Sequence, residues 1–201
     1  MNIYNEQYYI LKSSPFKQKF LELKPSTDTA RRNHTFERLD YADGAVFFEN
    51  AFRGDIPFYL TNGQFDGIYP VVSSDIADAL SLYEIRGFQL FPAVIMDDSE
   101  KWHEDFYFFN FYEKFDVVDF EKSIVSNYKP NSKYNEVIKF TLDADILDSI
   151  NEEERLIIDL ARVEGGSLIF HEKIVNLLSR FEIEAFQFFK LSEYELGMEF
   201  R

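Results

Sequence analysis

The stretch YEIRGFQLFPAVIM, residues 83–96, has a near-copy in FEIEAFQFFKL, residues 181–191. Aligned without gaps, residues 71–91 face residues 169–189 at a constant offset of 98, and eight positions are identical. These are Ile76/Ile174, Leu80/Leu178, Ser81/Ser179, Glu84/Glu182, Ile85/Ile183, Phe88/Phe186, Gln89/Gln187 and Phe91/Phe189. Most of the other pairs keep apolar character, which predicts one structural unit used twice.

Each copy predicts a strand, a short helix and a second strand. IYPVV, residues 68–72, is typical of a buried strand, and Ser73 or Ser74 can cap a helix whose first turn carries Asp75. Gly87 breaks the helical pattern before FQLFPAVIM. In the second copy His171 stands in place of Ser73, so we expect that helix to be capped more weakly, with the imidazole as a polar cap. Apolar residues recur at helical spacing in both copies, at Ile76, Ala79, Leu80 and Tyr83 and again at Ile174, Leu177, Leu178 and Phe181.

The rest of the chain alternates apolar runs with turn signals. Further strands are predicted at residues 8–12, 44–50, 56–61, 106–113 and 136–143. Residues 24–36 suit a loop, DADILD (143–148) a strand end with a solvated turn, EGG (164–166) a turn, and NEEERLIIDLAR (151–162) a helical opening. No Pro/Gly/Ser-rich linker divides the chain. We therefore expect one domain over residues 1–201, a mixed, strand-rich α+β fold with two related strand-helix-strand units around an aromatic core.

The composition supports a strand-rich core and excludes thiol chemistry. The chain contains 23 Phe, 12 Tyr and one Trp among 201 residues, and aromatic residues favour pleated, half-buried surfaces. A domain of this length buries roughly 70% of the surface of its unfolded chain. There is no cysteine, which excludes disulfides, thiolate metal sites and a thiol nucleophile.

The apolar runs are too short for targeting or membrane insertion. The opening MNIYNEQYYILKSS lacks the apolar run of a secretory signal. The longest uncharged apolar run, residues 88–96, is about half the length that a membrane span requires. We expect a cytoplasmic protein that does not contact a membrane.

The charge is strongly negative and unevenly placed. The formal net charge is −15 and the isoelectric point is near 4.6, which argues against nucleic acid as a partner. Residues 1–40 carry a small positive excess, so the negative charge belongs to the remaining four-fifths of the chain. Such a field favours a basic partner. An acidic surface that serves only solubility explains the composition equally well.

No catalytic or metal-binding motif is present. The three histidines, His34, His103 and His171, match neither the zinc pattern HExxH nor a triad with a GxSxG elbow. We interpret each as structural or solvent-exposed. Asp143, Asp145 and Asp148 lie close together but lack the glycine and the distal glutamate of a calcium loop. The sequence therefore predicts no catalytic residue, no metal and no cofactor.

DDSEKWHED, residues 97–105, is the best candidate for a contact patch. Carboxylates surround the single Trp in a predicted loop, a combination that interfaces use for anchoring and steering. A plain loop with a partly packed Trp is the alternative. The predicted partner-binding residues are Asp97, Asp98, Glu100, Trp102, Glu104 and Asp105.

The chain resembles bacterial polymorphic-toxin immunity proteins in four segments. In chain order they are YYIL, VVSSDIADALSLYEIRGFQLFPAVI, FYFFNFYEKFDVVDFEKS and LIFHEKIVNLL. The resemblance is to the group called immunity protein eleven, with immunity protein forty-three as a near relative. It implies a cytoplasmic protein that binds and blocks a cognate toxin, with no catalytic residues to carry over. In DFEKS we expect Asp119 and Ser123 to fix a turn.

Two other classes of function stay open on the sequence alone. One is a small cytoplasmic hydrolase that uses carboxylates, which requires a cleft with convergent, perturbed acids. The other is an acidic mimic of nucleic acid that blocks a DNA-binding protein. If the chain is an immunity protein, its negative charge suits a basic toxin. The sequence does not determine the identity of the toxin or the oligomeric state.

Overall fold

The computed structural model describes residues 2–14, 21–54, 60–126, 128–165 and 167–201. The strands of these residues are β1 Tyr8–Ser13, β2 Leu23–Pro25, β3 Val46–Asn50, β4 Gly63–Phe65, β5 Pro70–Ser73, β6 Phe88–Met96, β7 Trp102–Phe111, β8 Ile124–Ser126, β9 Glu136–Lys139, β10 Ile157–Asp159, β11 Leu168–His171 and β12 Phe186–Lys190. The α-helices are α1 Ile3–Gln7, α2 Thr27–Arg31, α3 Ser74–Leu80, α4 Ala144–Asp148 and α5 Glu172–Leu178. Single 3₁₀ turns lie at Tyr41–Asp43, Glu152–Arg155 and Met198–Phe200. The α+β, strand-rich fold class is confirmed.

The strands form two larger sheets and one hairpin. The six-stranded sheet has the order β2-β3-β6-β7-β5-β4, the four-stranded sheet has the order β10-β11-β1-β12, and β8 pairs with β9. Among the pairs formed by the strands named above, only β3 with β6 is parallel. In each larger sheet, the two strands of one repeat copy are therefore parallel to each other and separated by a third strand that runs the opposite way.

The two repeat copies have the same backbone conformation. β5, α3 and the start of β6 lie 98 residues before β11, α5 and the start of β12, with identical boundaries. Ser81 and Ser179 end the two helices with the same αR geometry. Gly87 has a φ of +71°, and a Cβ there would lie 2.6 Å from Cβ of Glu113, which explains the glycine in the first copy. The predicted strand-helix-strand repeat is confirmed.

The strand between β5 and β6 comes from the other half of the chain. We call residues 2–98 the first half and residues 99–201 the second half. β7, the first strand of the second half, lies between β5 and β6 of the first half. Phe108 at its centre pairs with Val71 on one side and with Phe91 on the other. The ring of Phe108 is fully buried, so this insertion forms part of the core.

The reciprocal insertion occurs in the second sheet. β1, the first strand of the first half, lies between β11 and β12 of the second half. Ile10 pairs there with Ile169 and Phe189. These partners are the positions equivalent to Val71 and Phe91, and Ile10 itself lies 98 residues before Phe108. The internal repeat thus includes the central strands, and each half completes the sheet of the other.

Two clusters of buried residues stabilise this arrangement. The larger cluster contains the apolar faces of both repeat helices, including Ile76 and Leu80 of α3 and Ile174 and Leu178 of α5. The second cluster forms around β1, including Ile10. Because both clusters draw on both halves, burial of apolar surface holds the halves together at roughly 25 cal/mol per Å².

The helix caps differ from the expectation. Ser73 occupies the N-cap of α3, but its hydroxyl is buried and makes no hydrogen bond to a described residue. His171 caps α5, where Nδ1 accepts from the backbone N–H of Lys173 at 3.3 Å. Burial lowers the pKa of His171, which keeps the ring neutral so that Nδ1 can accept. The expected weaker capping in the second copy is therefore wrong, whereas the polar cap at His171 is confirmed.

Two predicted loops contain short helices. Within residues 24–36, Ser26 caps α2 by accepting from the N–H of Thr29 at 3.2 Å. In DADILD, Asp143 caps α4 by accepting from the N–H of Ile146 at 3.1 Å. Both helices have five residues, too short for periodicity to distinguish them from turns.

Other predictions hold in part. The strand at residues 136–143 ends at Lys139, and NEEERLIIDLAR forms one 3₁₀ turn followed by β10. Residues 56–59 of the predicted strand 56–61 lie outside the described residues, and Leu60 and Thr61 are not in a strand. The EGG turn is confirmed at Glu164 and Gly165, whereas residue 166 is outside the described part. Asp119 accepts from the backbone N–H groups of residues 121 and 122, which confirms the predicted turn.

The exchange of strands predicts that neither half folds alone. A chain divided between Asp98 and Ser99 leaves each half without the central strand of its sheet, and its unpaired edges favour aggregation. We expect the two halves, co-expressed with a tag on one, to co-purify and to show the circular dichroism of the intact chain. Ile10→Pro in the first half removes pairing at the centre of a sheet and should abolish co-purification. A native spectrum with cooperative unfolding for either isolated half would contradict the exchange.

Candidate functional site

The predicted contact patch lies at the turn between β6 and β7. Residues 97–101 form the turn, and β7 begins at Trp102, which pairs with Met96. The prediction that Trp102 lies in a loop is therefore wrong, because pairing with β6 continues to the turn. The Trp102 side chain is 54% exposed, and its ring meets that of Phe47 edge-on at 5.3 Å.

Asp97 organises the turn. Its Oδ1 accepts from the backbone N–H groups of Ser99 and Lys101, each at 2.9 Å, and its Oδ2 lies 3.0 Å from Nε2 of His103. The hydrogen bond with His103, followed by the backbone N–H groups, lowers the pKa of Asp97 to about 2. Asp97 therefore holds the turn in shape and is half-buried.

Asp98 connects the turn to the end of β3. Its carboxylate accepts from Nδ2 of Asn50 at 3.2 Å and from the N–H of Gly54 at 3.3 Å. Its carbonyl accepts from Nη2 of Arg53 at 2.9 Å, and the same guanidinium lies 3.6 Å from the Glu100 carboxylate. Asp98 is thus a second structural carboxylate of the patch.

The outward part of the patch is smaller than the sequence predicts. Glu100, Trp102, Glu104 and Asp105 are exposed. Asp105 has a φ of +65°, near the irregularity in pairing between Ala93 and Ile95. The exposed part of the patch is therefore one aromatic ring and three carboxylates, while Asp97 and Asp98 hold the turn.

A cleft between the two halves is a second candidate site. Its volume is about 630 Å³. The first half contributes Pro25, residues 34–36, Asp66, Ile68 and Tyr69 to its walls, and the second half contributes Lys114, residues 133–134 and residues 160–163 with Gly165. A volume of this size lies in the range of ligand sites, about 300–1,000 Å³.

Buried amides hold both walls of the cleft. Asn110 on β7 donates from Nδ2 to the carbonyls of His34 at 2.8 Å and Glu37 at 2.9 Å. Asn135 donates from Nδ2 to the carbonyl of Arg162 at 3.0 Å, on the opposite wall. These bonds tie the segment around His34 and Glu37 to β7, and they tie Arg162 to Asn135.

Ionisable side chains meet beside the cleft. Asp159, which is fully buried, accepts on Oδ2 from the hydroxyl of Tyr69 at 2.8 Å and lies 3.2 Å from Nζ of Lys114. Its Oδ1 has no hydrogen-bond partner among the described residues. Burial raises the pKa of Asp159 against the opposing effect of Lys114, and burial also raises the pKa of Tyr69. His34, also buried, pairs with Asp66 at 3.3 Å.

The three histidines match their structural interpretation. His34 and His171 are buried, and His103 is partly buried against Asp97.

The sequence did not reveal the cleft, because its walls come from segments far apart in the chain. One indication was present in FYFFNFYE, where the polar residue Asn110 interrupts an aromatic strand.

Across the described ranges, no helix is both long and apolar enough to cross a membrane, and no cluster of three or more potential metal ligands occurs.

Comparison with known proteins assigns most of the chain to one family. The family described as "Immunity protein family (Imm11)" matches residues 3–149, well over half of the chain. The match contains the first three segments that carry the resemblance and ends before the fourth, LIFHEKIVNLL. No curated protein matches the chain.

The depressed pKa of Asp97 predicts an acid-dependent contribution to stability. A carboxyl with a folded-state pKa of about 2 and an unfolded value of about 3.9 stabilises the fold above pH 4. That contribution is lost as the pH falls toward 2. Asp97→Asn should therefore lower the free energy of unfolding at pH 6, and the difference from wild type should shrink between pH 4 and 2. Urea unfolding across this range measures it, and a pH-independent difference would contradict the assignment.

Proposed function

Since the chain belongs to the Imm11 immunity protein family, we propose that it binds a cognate toxin in the cytoplasm and neutralises it by occlusion, without catalysis. Membership of the family supports toxin immunity and a toxin partner. Occlusion, the compartment and the basic character of the toxin are our inferences. A net charge of −15 suits a basic partner, and it disfavours nucleic acid and anionic membrane surfaces.

The exposed ring of Trp102 is the observation that carries the proposed contact site. An aromatic side chain that is 54% exposed on a strand, among outward carboxylates, has the chemistry of an interface anchor with a steering rim. The turn behind it is held by the hydrogen bonds of Asp97 and Asp98. A preorganised turn loses little conformational freedom on binding, which favours affinity.

The hydrolase alternative has one feature in its favour, the carboxyl of Asp159 beside the cleft. A raised pKa in a cleft is a common property of catalytic acids. A general acid or base must reach the proton it transfers, however, and Asp159 is fully buried with Oδ2 engaged by Tyr69 and Lys114. This arrangement favours a structural joint between the halves over catalysis. A nucleic-acid mimic differs from an immunity protein mainly in its partner, so the binding experiments below also test it.

If the carboxylates of the contact patch, residues 97–105, which we call the acidic patch, steer a basic toxin, the association rate should depend on salt concentration. Changing the three exposed carboxylates of the patch, by Glu100→Gln, Glu104→Gln and Asp105→Asn, should lower the association rate more than it raises the dissociation rate. The wild-type association rate should fall as salt approaches 0.1 M, where the Debye length is about 10 Å. Binding kinetics against the purified cognate toxin domain measure both.

The matched control removes the same number of charges elsewhere. Three exposed carboxylates in and after the first repeat helix, changed to amides, should slow association less than the patch variant does; they are Asp75, Asp78 and Glu84. An association rate that does not respond to salt would refute steering.

Trp102→Ala should act on dissociation. If the ring is an interface anchor, its removal costs about 2 kcal/mol or more, which corresponds to about 30-fold faster dissociation with little change in the association rate. Tyr41→Ala is the control, because it removes another exposed aromatic ring, 62% exposed, outside the patch. An unchanged dissociation rate for folded Trp102→Ala protein would exclude the Trp102 anchor.

A further inference from the structure

The cleft between the two halves carries a lysine that makes no ion pair with a described residue. Its walls carry Lys114, Lys133 and Arg162 against one carboxylate, Asp66. Arg162 is engaged with Asp116 at 3.2 Å, and Lys114 with the buried Asp159. Lys133 is exposed, and no ion pair joins it to a described residue. On a chain with a net charge of −15, Lys133 is therefore the cation of the cleft that remains available to a partner group of opposite charge.

The rim of the cleft is apolar. Phe36 on the first half is 70% exposed, and Tyr134 on the second half is 69% exposed. Ile68, also on the first half, is 43% exposed. All three residues line the cleft, so apolar surface is concentrated on both sides of the opening. Clustered exposed apolar surface with a polar surround is typical of sites that bind protein.

The extent of this surface favours a peptide segment over a small molecule. A small ligand fills the interior of a cavity, whereas rings exposed to about 70% lie mostly outside it. A chain segment that crosses the opening can cover both rings and place one side chain inside. The backbone bonds of Asn110 and Asn135 keep the two walls in place for such a partner.

We propose that this cleft is a second contact site for the toxin, which accepts a segment carrying a carboxylate flanked by apolar side chains. The proposal rests on the proposed function and adds to it. The carboxylate meets Lys133, with Lys114 nearby on the cleft wall, while the apolar neighbours cover Phe36 and Tyr134. The acidic patch at Trp102 repels the same segment, so the toxin has to present positive and negative surface in the right places. Complementarity of both signs gives specificity among related toxins.

Charge reversal in the cleft tests the proposal. Lys133→Glu should weaken the complex with the toxin domain at least tenfold, because it sets two carboxylates against each other. Lys129→Glu makes the same change at an exposed lysine that does not line the cleft, and it should change Kd less than threefold. Both residues are exposed, so folding is expected to survive, and thermal unfolding checks this.

Removal of an exposed aromatic ring from the rim of the cleft provides a second, independent test. Phe36→Ser should weaken the complex about tenfold through faster dissociation. Phe200→Ser, which removes a ring that is 73% exposed outside the cleft, should have little effect. Hydrogen exchange of residues 66–69 and 160–165 should slow in the wild-type complex.

The outcomes separate this proposal from the proposed function. A toxin complex that Lys133→Glu and Phe36→Ser leave unchanged overturns the cleft site alone. Tighter binding by Lys133→Glu also overturns it, because the segment would then be basic. If no complex forms with the wild-type protein, both proposals fail. Thermal stabilisation of the free protein by citrate, lost in Lys133→Glu while toxin binding is unchanged, would assign the cleft to small carboxylates instead.

Discussion

The structure depends on the reciprocal insertion of one strand from each half into the sheet of the other. β7 pairs with both β5 and β6, and β1 pairs with both β11 and β12, in the same register. A central strand that pairs on both sides cannot leave without exposing two edges. Neither sheet is complete within one half, so the chain folds as an interdependent pair of repeats.

This constraint also determines where the candidate sites lie. β7 carries Trp102 at its outer end, and further along Asn110, which bonds to the backbone of one cleft wall. The cleft forms where the halves meet, and the bond from Tyr69 to Asp159 joins them beside it. One inserted strand therefore supports both the acidic patch and the cleft, and a partner that contacts both sites would bind across the joint between the repeats.

The sequence predicts the repeat well but not the exchange. Identical apolar residues at helical spacing, such as Ile76 and Ile174, determine the strand-helix-strand units. The central strands share little identity, since Tyr9 and Tyr107 match but Ile10 faces Phe108, and strand pairing is non-local. Short helices such as α4 depend on one cap. In the patch, chain proximity predicted Trp102 and its carboxylates correctly as neighbours, but the inward roles of Asp97 and Asp98 follow from hydrogen bonds that only the fold creates.

The central claim is neutralisation by occlusion, and a stoichiometric titration tests it most directly. Toxin domain at a fixed concentration well above Kd is mixed with increasing amounts of this protein, and the remaining toxin activity is measured. Occlusion predicts a linear fall to zero at one equivalent, independent of incubation time, with active toxin recovered when the complex is dissociated. Inactivation by much less than one equivalent, increasing with time and not reversed by dissociation, would contradict the account and indicate catalysis.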